Sequence, residues 1–255
     1  MNDYSIKDLS LAGVQWEITD VPMVVRAKWA ANMQQTSPKE QNINDVRANV
    51  TVVPPIAPTT TMSVDMAESM ASRPIDIENL IRMIAEFNHP LRTVGTNVVL
   101  PNIAKNPNGL VIVTDVPGAD DDATGKILSG NAGDLLDKML AAIGMNRDIV
   151  SIVPIIFWRT PGGRTPTNEE LSLSRPFVRR LMEFLHPTMI LTLGATPAIE
   201  VADIKISSSH GKVVQNANGT PVMPIYHPNY LLLKPSAKRE VWSALQELQK
   251  LLKNQ

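Results

Sequence analysis

The residues of this chain that could carry out chemistry come directly after predicted strands. They are residues 115–118, the loop that begins at Arg159, Gly194 and His227. Sheets of parallel strands bind ligands beyond the carboxyl ends of their strands, so we expect these segments to meet along one edge, the strand-end rim. Taken alone, a histidine such as His227, at the end of a strand and before Pro228, is more often structural than catalytic. The rim therefore locates a site without assigning a reaction to it.

The motifs of several enzyme classes are missing from the sequence. It contains no GxGxxG, GxxxxGK[ST], GxSxG or HExxH pattern, so nucleotide-fold, serine-hydrolase and zinc-protease functions lose support. Asp120, Asp121 and Asp122 could hold a divalent cation. Three adjacent acids in a polar turn are more often a solvated loop, and we expect no metal site.

Strands and helices alternate from Asp76 to the C-terminus. Apolar runs predict strands at residues 110–114, 149–157, 189–193 and 222–226. The predicted helices begin at Asp76, Ala132, Thr167 and Ser236, with a short one after Gly194. Such alternation is typical of a parallel sheet covered by helices on both faces. We therefore predict an α/β fold of three α/β/α layers with a central parallel four-stranded sheet.

The composition favours one globular domain with an N-terminal tail. The chain has 255 residues, of which 44% are hydrophobic, enough for a sizeable core. Residues 34–74 are rich in Gln, Asn, Pro, Thr and Ser without a sustained period, which predicts a flexible linker. We assign residues 1–75 to a largely flexible extension and residues 76–255 to the domain.

The sequence gives no indication of a membrane segment or of thiol chemistry. The longest apolar run, residues 149–158, is about half of the ~20 residues that a membrane helix needs. The N-terminus lacks a basic and then apolar signal pattern, and we expect a cytoplasmic monomer. The chain has no cysteine, which excludes disulfides, thiolate catalysis and cysteine-bound zinc or iron–sulfur clusters.

Several motifs occur in an order that resembles the family-4 uracil-DNA glycosylases. Residues 226–232, YHPNYLL, with Pro235 and residues 237–242, AKREVW, are similar to the third motif and closing helix of that family. Further matches are residues 117–122, Gly125, Gly130, residues 132–133, 135–137, 175–177 and 193–196. The resemblance covers roughly residues 80–252 in matching order and spacing, which is more specific than any single motif.

The resemblance implies a base-excision site at the strand-end rim. Enzymes of this family flip the target nucleotide out of the duplex, because the bond to be cut is unreachable inside the stack. His227 would then donate a hydrogen bond to the departing base anion. Asp115, where the family has glutamate, would position water or balance the cationic sugar. The implied base pocket comprises Val116, Pro117, Gly118, Leu128 and Pro154.

The resemblance also implies a DNA-binding surface. Residues 230–234 resemble a loop that probes DNA, in which one of Leu231, Leu232 and Leu233 would fill the space of the flipped nucleotide. The alternative is that two of these leucines pack under the loop. From Lys205 onward the chain has 7 basic and 2 acidic side chains, which suits phosphate contact. The predicted DNA-contact residues are Arg159, His210, Lys212, Tyr230, Leu231, Leu232, Leu233, Lys234, Lys238 and Arg239.

The expected partner is DNA, in single-stranded or lesion-containing form, while residues 1–75 would engage a replication or repair protein.

The chain departs from the family at recognition positions. The asparagine that reads uracil aligns with Pro154, the stacking aromatic residue with Leu128, and the first-motif glycine with Thr114. The four cluster cysteines align with Glu86, His89, Trp158 and Ser174, so we expect no iron–sulfur cofactor and packing around Trp158 instead.

Three functions stay open at this stage. The first is a DNA glycosylase that removes uracil or another deaminated base with weakened or altered activity. The second is a catalytically inactive DNA-binding module of the same fold. The third is a small-molecule-binding α/β domain unrelated to DNA. Salt-sensitive DNA binding would argue against the third, and catalysis separates the first two.

Overall fold

A computed structural model describes residues 63–92 and 96–253 as an α/β fold. The strands are β1 Leu110–Thr114, β2 Ser151–Pro154, β3 Met189–Leu193, β4 Val214–Gln215 and β5 Pro221–Ile225. The helices are α1 Val64–Ser72, α2 Ile77–Glu86, α3 Ala119–Thr124, α4 Gly130–Ala142, α5 Asn168–Leu185, α6 Ala195–Ala202, α7 Ile206–Ser209, α8 Pro228–Leu233 and α9 Lys238–Lys253. Single 3-10 turns lie at Pro161–Gly163 and Pro235–Ala237.

The strands form one sheet in the order β2-β1-β3-β5-β4. Pairing is parallel from β2 through β5, which confirms the predicted fold class and its four parallel strands. A fifth strand, β4, pairs antiparallel with β5 at the edge and was not predicted. Two residues are too few to give a recognisable alternation in the sequence.

Successive residues of each central strand point to opposite faces of the sheet, and both faces are buried. In β1, Leu110 and Ile112 pack with α4 and α9, while Val111 and Val113 pack with α1, α2 and α5. Sequence signals set the limits of two of these helices. Asp76 accepts a hydrogen bond from the Asn79 amide at 2.7 Å, and Thr167 forms a capping box with Glu170 at the start of α5.

Residues 34–74 are predicted as a flexible linker, but the structure has a helix near the end of this stretch. Residues 64–72 form α1, which starts at the N-cap Ser63 and packs Ala67 and Ala71 against α5. An apolar stripe of two alanines gives too weak a periodic signal to be read in a polar segment. Residues 1–62 lie outside the described part of the chain, so the division at residue 75 stays a prediction. Within the described residues, no helix has the length and apolar character to cross a membrane.

Candidate active site

Three strand ends meet at the centre of the rim. Asp115 follows β1, Gly194 follows β3 and His227 follows β5. A Cβ atom built on Gly194 would lie 3.6 Å from Asp115 Oδ2 and 3.6 Å from the Cβ of His227. Gly194 has φ +102°, a left-handed conformation that glycine adopts without strain. This glycine therefore lets the chain turn from β3 into α6 between the two candidate catalytic side chains.

A cavity of about 230 Å³ opens at this point. Its volume lies below the ~300–1,000 Å³ that is usual for drug-sized ligands, which suits a single base. Pro154 ends β2 beside Thr114 but does not line the cavity. The lining includes Thr114, Asp115, Val116, Pro117, Gly118, Leu128, Ser129, Asn131, His227, Asn229 and Leu232.

Hydrogen bonds to both ring nitrogens fix the orientation of the His227 ring. His227 is the N-cap of α8, where its Nδ1 accepts a hydrogen bond from the Asn229 amide at 3.1 Å. Because Nδ1 is the acceptor, the proton of the neutral ring lies on Nε2, which is 3.1 Å from Thr114 Oγ1. Burial lowers the pKa of His227 to about 4. At neutral pH the ring is therefore uncharged and has one N–H group, at the cavity.

The Asp115 carboxylate is hydrogen-bonded to the loop that follows β1. Its Oδ1 accepts a hydrogen bond from the Val116 amide at 2.9 Å. Burial raises the pKa of the Asp115 carboxyl, and hydrogen bonds from Val116 and from the Thr196 side chain partly oppose this. A carboxylate so placed can accept a proton from water more readily than an exposed one, because desolvation favours its protonated form.

Two turns that form the cavity wall are tied together by one acid. Asp121 accepts hydrogen bonds from the Gly118 amide at 2.8 Å and from the Ser129 amide at 2.5 Å. Leu128, between them, has φ +49°. Asp121 thus binds backbone groups, and in the described part of the chain no cluster of three His, Cys, Asp or Glu could hold a metal ion.

The Leu128 turn is also anchored from the other side. Arg147 donates to the carbonyl oxygens of Ile127 at 2.8 Å and Leu128 at 2.7 Å, and it pairs with Asp137. Gly133 lets the Leu128 carbonyl lie directly against α4, because a Cβ atom on residue 133 would be 1.8 Å from Leu128 O. The aliphatic Leu128 therefore occupies a rigid position in the wall.

The three leucines of the probing loop have different exposures. Leu231 is 1% exposed and packs in the core, Leu232 is 42% exposed and lines the cavity, and Leu233 is 85% exposed. One leucine, not two, is thus buried under the loop. Leu232 and Leu233 remain the candidates for contact with a DNA base stack.

The remaining DNA-contact candidates differ in their surroundings. The His210 ring stacks on Tyr226 at 4.1 Å, and the Tyr230 ring lies 4.9 Å beyond it. Lys212, Lys234, Lys238 and Arg239 are exposed. Arg159 forms a 4.0 Å ion pair with Asp122 of α3, the helix that follows the Gly118 turn.

Sequence reasoning missed some of the cavity residues. Ser129 and Asn131 flank Gly130 at the start of α4, and Asn229 lies two residues after His227. The strand-end rule could not find the first two because Ser129 is the N-cap of α4, Asn131 lies in its first turn, and neither follows a strand. Asn229 lies inside the YHPNYLL motif, and its amide contact with the His227 ring is a feature that only coordinates reveal.

Comparison with known proteins places the chain in a family. The sequence profile of the uracil DNA glycosylase superfamily matches residues 101–249. The chain belongs to the uracil-DNA glycosylase superfamily. It is 34% identical over 146 residues to a type-4 uracil-DNA glycosylase of Thermotoga maritima, covering 56% of this chain and 76% of that protein. A type-4 uracil-DNA glycosylase of Archaeoglobus fulgidus is 32% identical over 182 residues, covering 68% of this chain and 91% of the relative.

The positions at which the resemblance places the cluster cysteines of uracil-DNA glycosylases hold other side chains. Trp158 is 1% exposed and stacks on His89, with ring centroids 4.8 Å apart and planes 9° from parallel. His89 Nε2 lies 3.0 Å from Glu170 O, while its Nδ1 accepts from the Leu91 amide. Ser174 is buried and Glu86 is exposed. An iron–sulfur cluster does not fit these residues, because none of them offers a thiolate.

The stability of this superfamily member should fall in acid through His227. Between pH 6.5 and about 4 the unfolded histidine binds a proton that the folded one does not, so the free energy of unfolding decreases as the pH falls. The full difference is about 3 kcal/mol. Urea unfolding at several pH values should give a shallower pH dependence for His227→Asn than for the wild type. Equal slopes would contradict the burial of a neutral ring.

Proposed function

We propose that the protein hydrolyses the N-glycosidic bond of uracil or another deaminated base in DNA. The observation that carries this proposal is the pair of candidate groups in one base-sized cavity. A neutral His227 has its N–H at the cavity, and Asp115 lies across Gly194 from it. Membership of the uracil-DNA glycosylase superfamily supports the reaction class and DNA as the partner.

The chemistry follows from the charges of these two groups. As the bond between the sugar C1′ and the base nitrogen breaks, the electron pair goes to the base and positive charge develops on the sugar. A neutral N–H donor on the base side stabilises the departing anion, and a carboxylate on the sugar side stabilises the cation. A water molecule then adds to C1′ as hydroxide. The proton that it loses passes to Asp115 and finally to the departed base anion.

We propose that base selection is weakened or altered relative to the family. A site that reads a base by hydrogen bonding loses orders of magnitude in discrimination when the partner is absent. Pro154 has neither a side-chain donor nor a backbone N–H, and it lies outside the cavity lining. Leu128 lines the cavity but has no aromatic face for stacking.

The surface around the cavity suits a DNA strand. Lys212, Lys234, Lys238 and Arg239 are exposed, and so is Leu233. Phosphate contacts of this kind weaken steeply with added salt. We propose that DNA binds here in single-stranded or lesion-containing form, to a monomer, and that residues 1–75 bind a replication or repair protein.

We also propose that the protein functions without an iron–sulfur cluster. The aromatic stack of Trp158 on His89 occupies the interior beside α5, where the resemblance places two of the cluster ligands. The purified protein should accordingly be colourless. A visible absorption band with bound iron would contradict this part of the proposal.

The deciding experiment measures base release from labelled single- and double-stranded oligonucleotides with uracil, hypoxanthine or xanthine. We expect release of at least one base, and a loss of release in Asp115→Asn. Since the pKa of Asp115 is raised, the rate should also fall as the pH decreases through that pKa. A matched control is Asp148→Asn, which changes an exposed acid outside the cavity lining.

A second function is favoured by one observation. The two base-reading positions, Leu128 and Pro154, hold side chains that form no hydrogen bond to a base. An inactive DNA-binding module would show salt-sensitive binding without release of any base. That result would replace the glycosylase proposal with this one.

A further inference from the structure

We propose that Thr114 is a positioning and donor residue that relays the hydrogen bond of His227 to the flipped base. Thr114 is the last residue of β1, is 2% exposed, and lines the cavity. Its Oγ1 is 3.1 Å from Nε2 of His227. This inference rests on the proposed function and adds the atom that would contact the base.

The direction of the hydrogen bond follows from the neighbouring amide. The Asn229 N–H donates to Nδ1 of His227, so a proton on Nδ1 would oppose it. The neutral ring therefore has its proton on Nε2, and Nε2–H donates to Thr114 Oγ1. The threonine oxygen is the acceptor, which leaves its own hydrogen free to donate elsewhere.

The hydroxyl hydrogen of Thr114 has no acceptor among the residues that the structure describes. Within them the Thr114 side chain has a hydrogen bond to His227 alone, and there it is the acceptor. The Thr114 carbonyl is used by the Ile155 amide at 3.0 Å, and the strand pairs on both sides with β2 and β3. The hydroxyl can thus donate into the cavity, where an acceptor on a bound base would complete the chain.

Such a chain strengthens the last donor. A hydroxyl that accepts from an N–H is polarised, so its own hydrogen bond to an oxygen becomes stronger. The group that faces the departing base is then the hydroxyl of Thr114, while His227 acts through it. Both remain uncharged, and the relay transfers no proton in this arrangement.

The relay also selects the class of base. Charge that develops on a leaving pyrimidine spreads to the carbonyl oxygen next to the glycosidic nitrogen, and this oxygen is the acceptor that the hydroxyl requires. Hypoxanthine has no carbonyl next to its glycosidic nitrogen. The Thr114 hydroxyl therefore fits a 2-oxo-pyrimidine, such as the uracil of the proposed function, better than a deaminated purine.

The test compares Thr114→Val, Thr114→Ser and Thr192→Val. Valine keeps the shape of threonine and removes the hydroxyl, whereas serine keeps the hydroxyl. Thr192 is the matched control, because it is fully buried in the adjacent β3 and its Oγ1 has no hydrogen-bond partner among the described residues. We expect Thr114→Val to slow uracil release by about 10²-fold, and the other two variants to stay within a few-fold of the wild type.

Two further readouts separate a relay from a packing role. The defect of Thr114→Val should shrink with 5-fluorouracil, a more stable leaving anion, whereas a packing defect would persist. The effects of Thr114→Val and His227→Gln should be strongly non-additive, because both break one chain. Faster release by Thr114→Val would overturn the inference, since it would mean that the hydroxyl competes with the base for Nε2–H.

A measurement of DNA binding tests the role of Thr114 even if the wild type releases no base. The probe is then an oligonucleotide that contains 2′-fluoro-2′-deoxyuridine, whose glycosidic bond resists hydrolysis. Weaker binding by Thr114→Val, with Thr114→Ser and Thr192→Val unchanged, would support the relay while the proposed hydrolysis fails. Equal binding by all four proteins would overturn the relay.

Discussion

Replacement of His227 by alanine should slow base release by about 10²- to 10³-fold, because it removes the N–H group that supports the developing anion through the Thr114 hydroxyl. The ring is neutral at the pH of the assay because burial lowers its pKa to about 4. Its contribution is therefore a hydrogen bond and not a positive charge. Single-turnover release of uracil from a labelled oligonucleotide measures the effect directly.

The His227 experiment needs controls for folding. His227→Asn retains a good N-cap side chain for α8, so it separates loss of the donor from loss of the cap. We expect the same low rate as for alanine with higher stability. His186→Asn changes an exposed histidine at the left-handed C-cap of α5, a position that asparagine tolerates, and should retain the wild-type rate. A wild-type rate in His227→Ala would contradict the assigned role.

Replacement of Trp158 by alanine should reduce the free energy of unfolding by about 3–5 kcal/mol. The indole is 1% exposed and contacts the rings of Phe87, His89 and Phe157. Its loss would leave a cavity among side chains that are themselves held by the sheet and α5. Equilibrium unfolding in urea measures the change.

The matched control for Trp158 is the other tryptophan that the structure describes. Trp242 lies on α9 and is 42% exposed, so Trp242→Ala should cost much less. Trp158→Phe should lie between the wild type and Trp158→Ala, because the smaller ring keeps part of the stack on His89. A loss of less than about 1 kcal/mol in Trp158→Ala would show that this interior does not depend on the indole.

Much of the fold could be predicted because its signals are local. Asp76 and Thr167 are side-chain caps, and each parallel strand is a short apolar run between turn residues. Helix α1 and strand β4 escaped prediction for two different reasons. Helix α1 is stabilised by two alanines that contact α5, which is distant in sequence, whereas β4 pairs with the nearby β5 but has only two residues.

The site could be predicted in location and less well in detail. The strand-end rule brings Asp115, Gly194 and His227 together without any coordinates. It cannot indicate that Thr114 accepts from the His227 ring, because the rule places residues at one edge of the sheet and does not specify which side-chain atoms meet there. It also cannot reveal Arg147, which lies far from the rim in sequence and supports the Leu128 turn through backbone carbonyls.

The carboxylate of Asp121 has a consequence for how the cavity moves. It joins the Gly118 turn to the Ser129 turn, so neither wall can swing away without breaking bonds to the same side chain. Local unfolding there is therefore a single cooperative event, in which the amide hydrogens of both turns become accessible to exchange together. An entering base meets a cavity whose walls are already ordered, and little of its binding energy is spent on closing them.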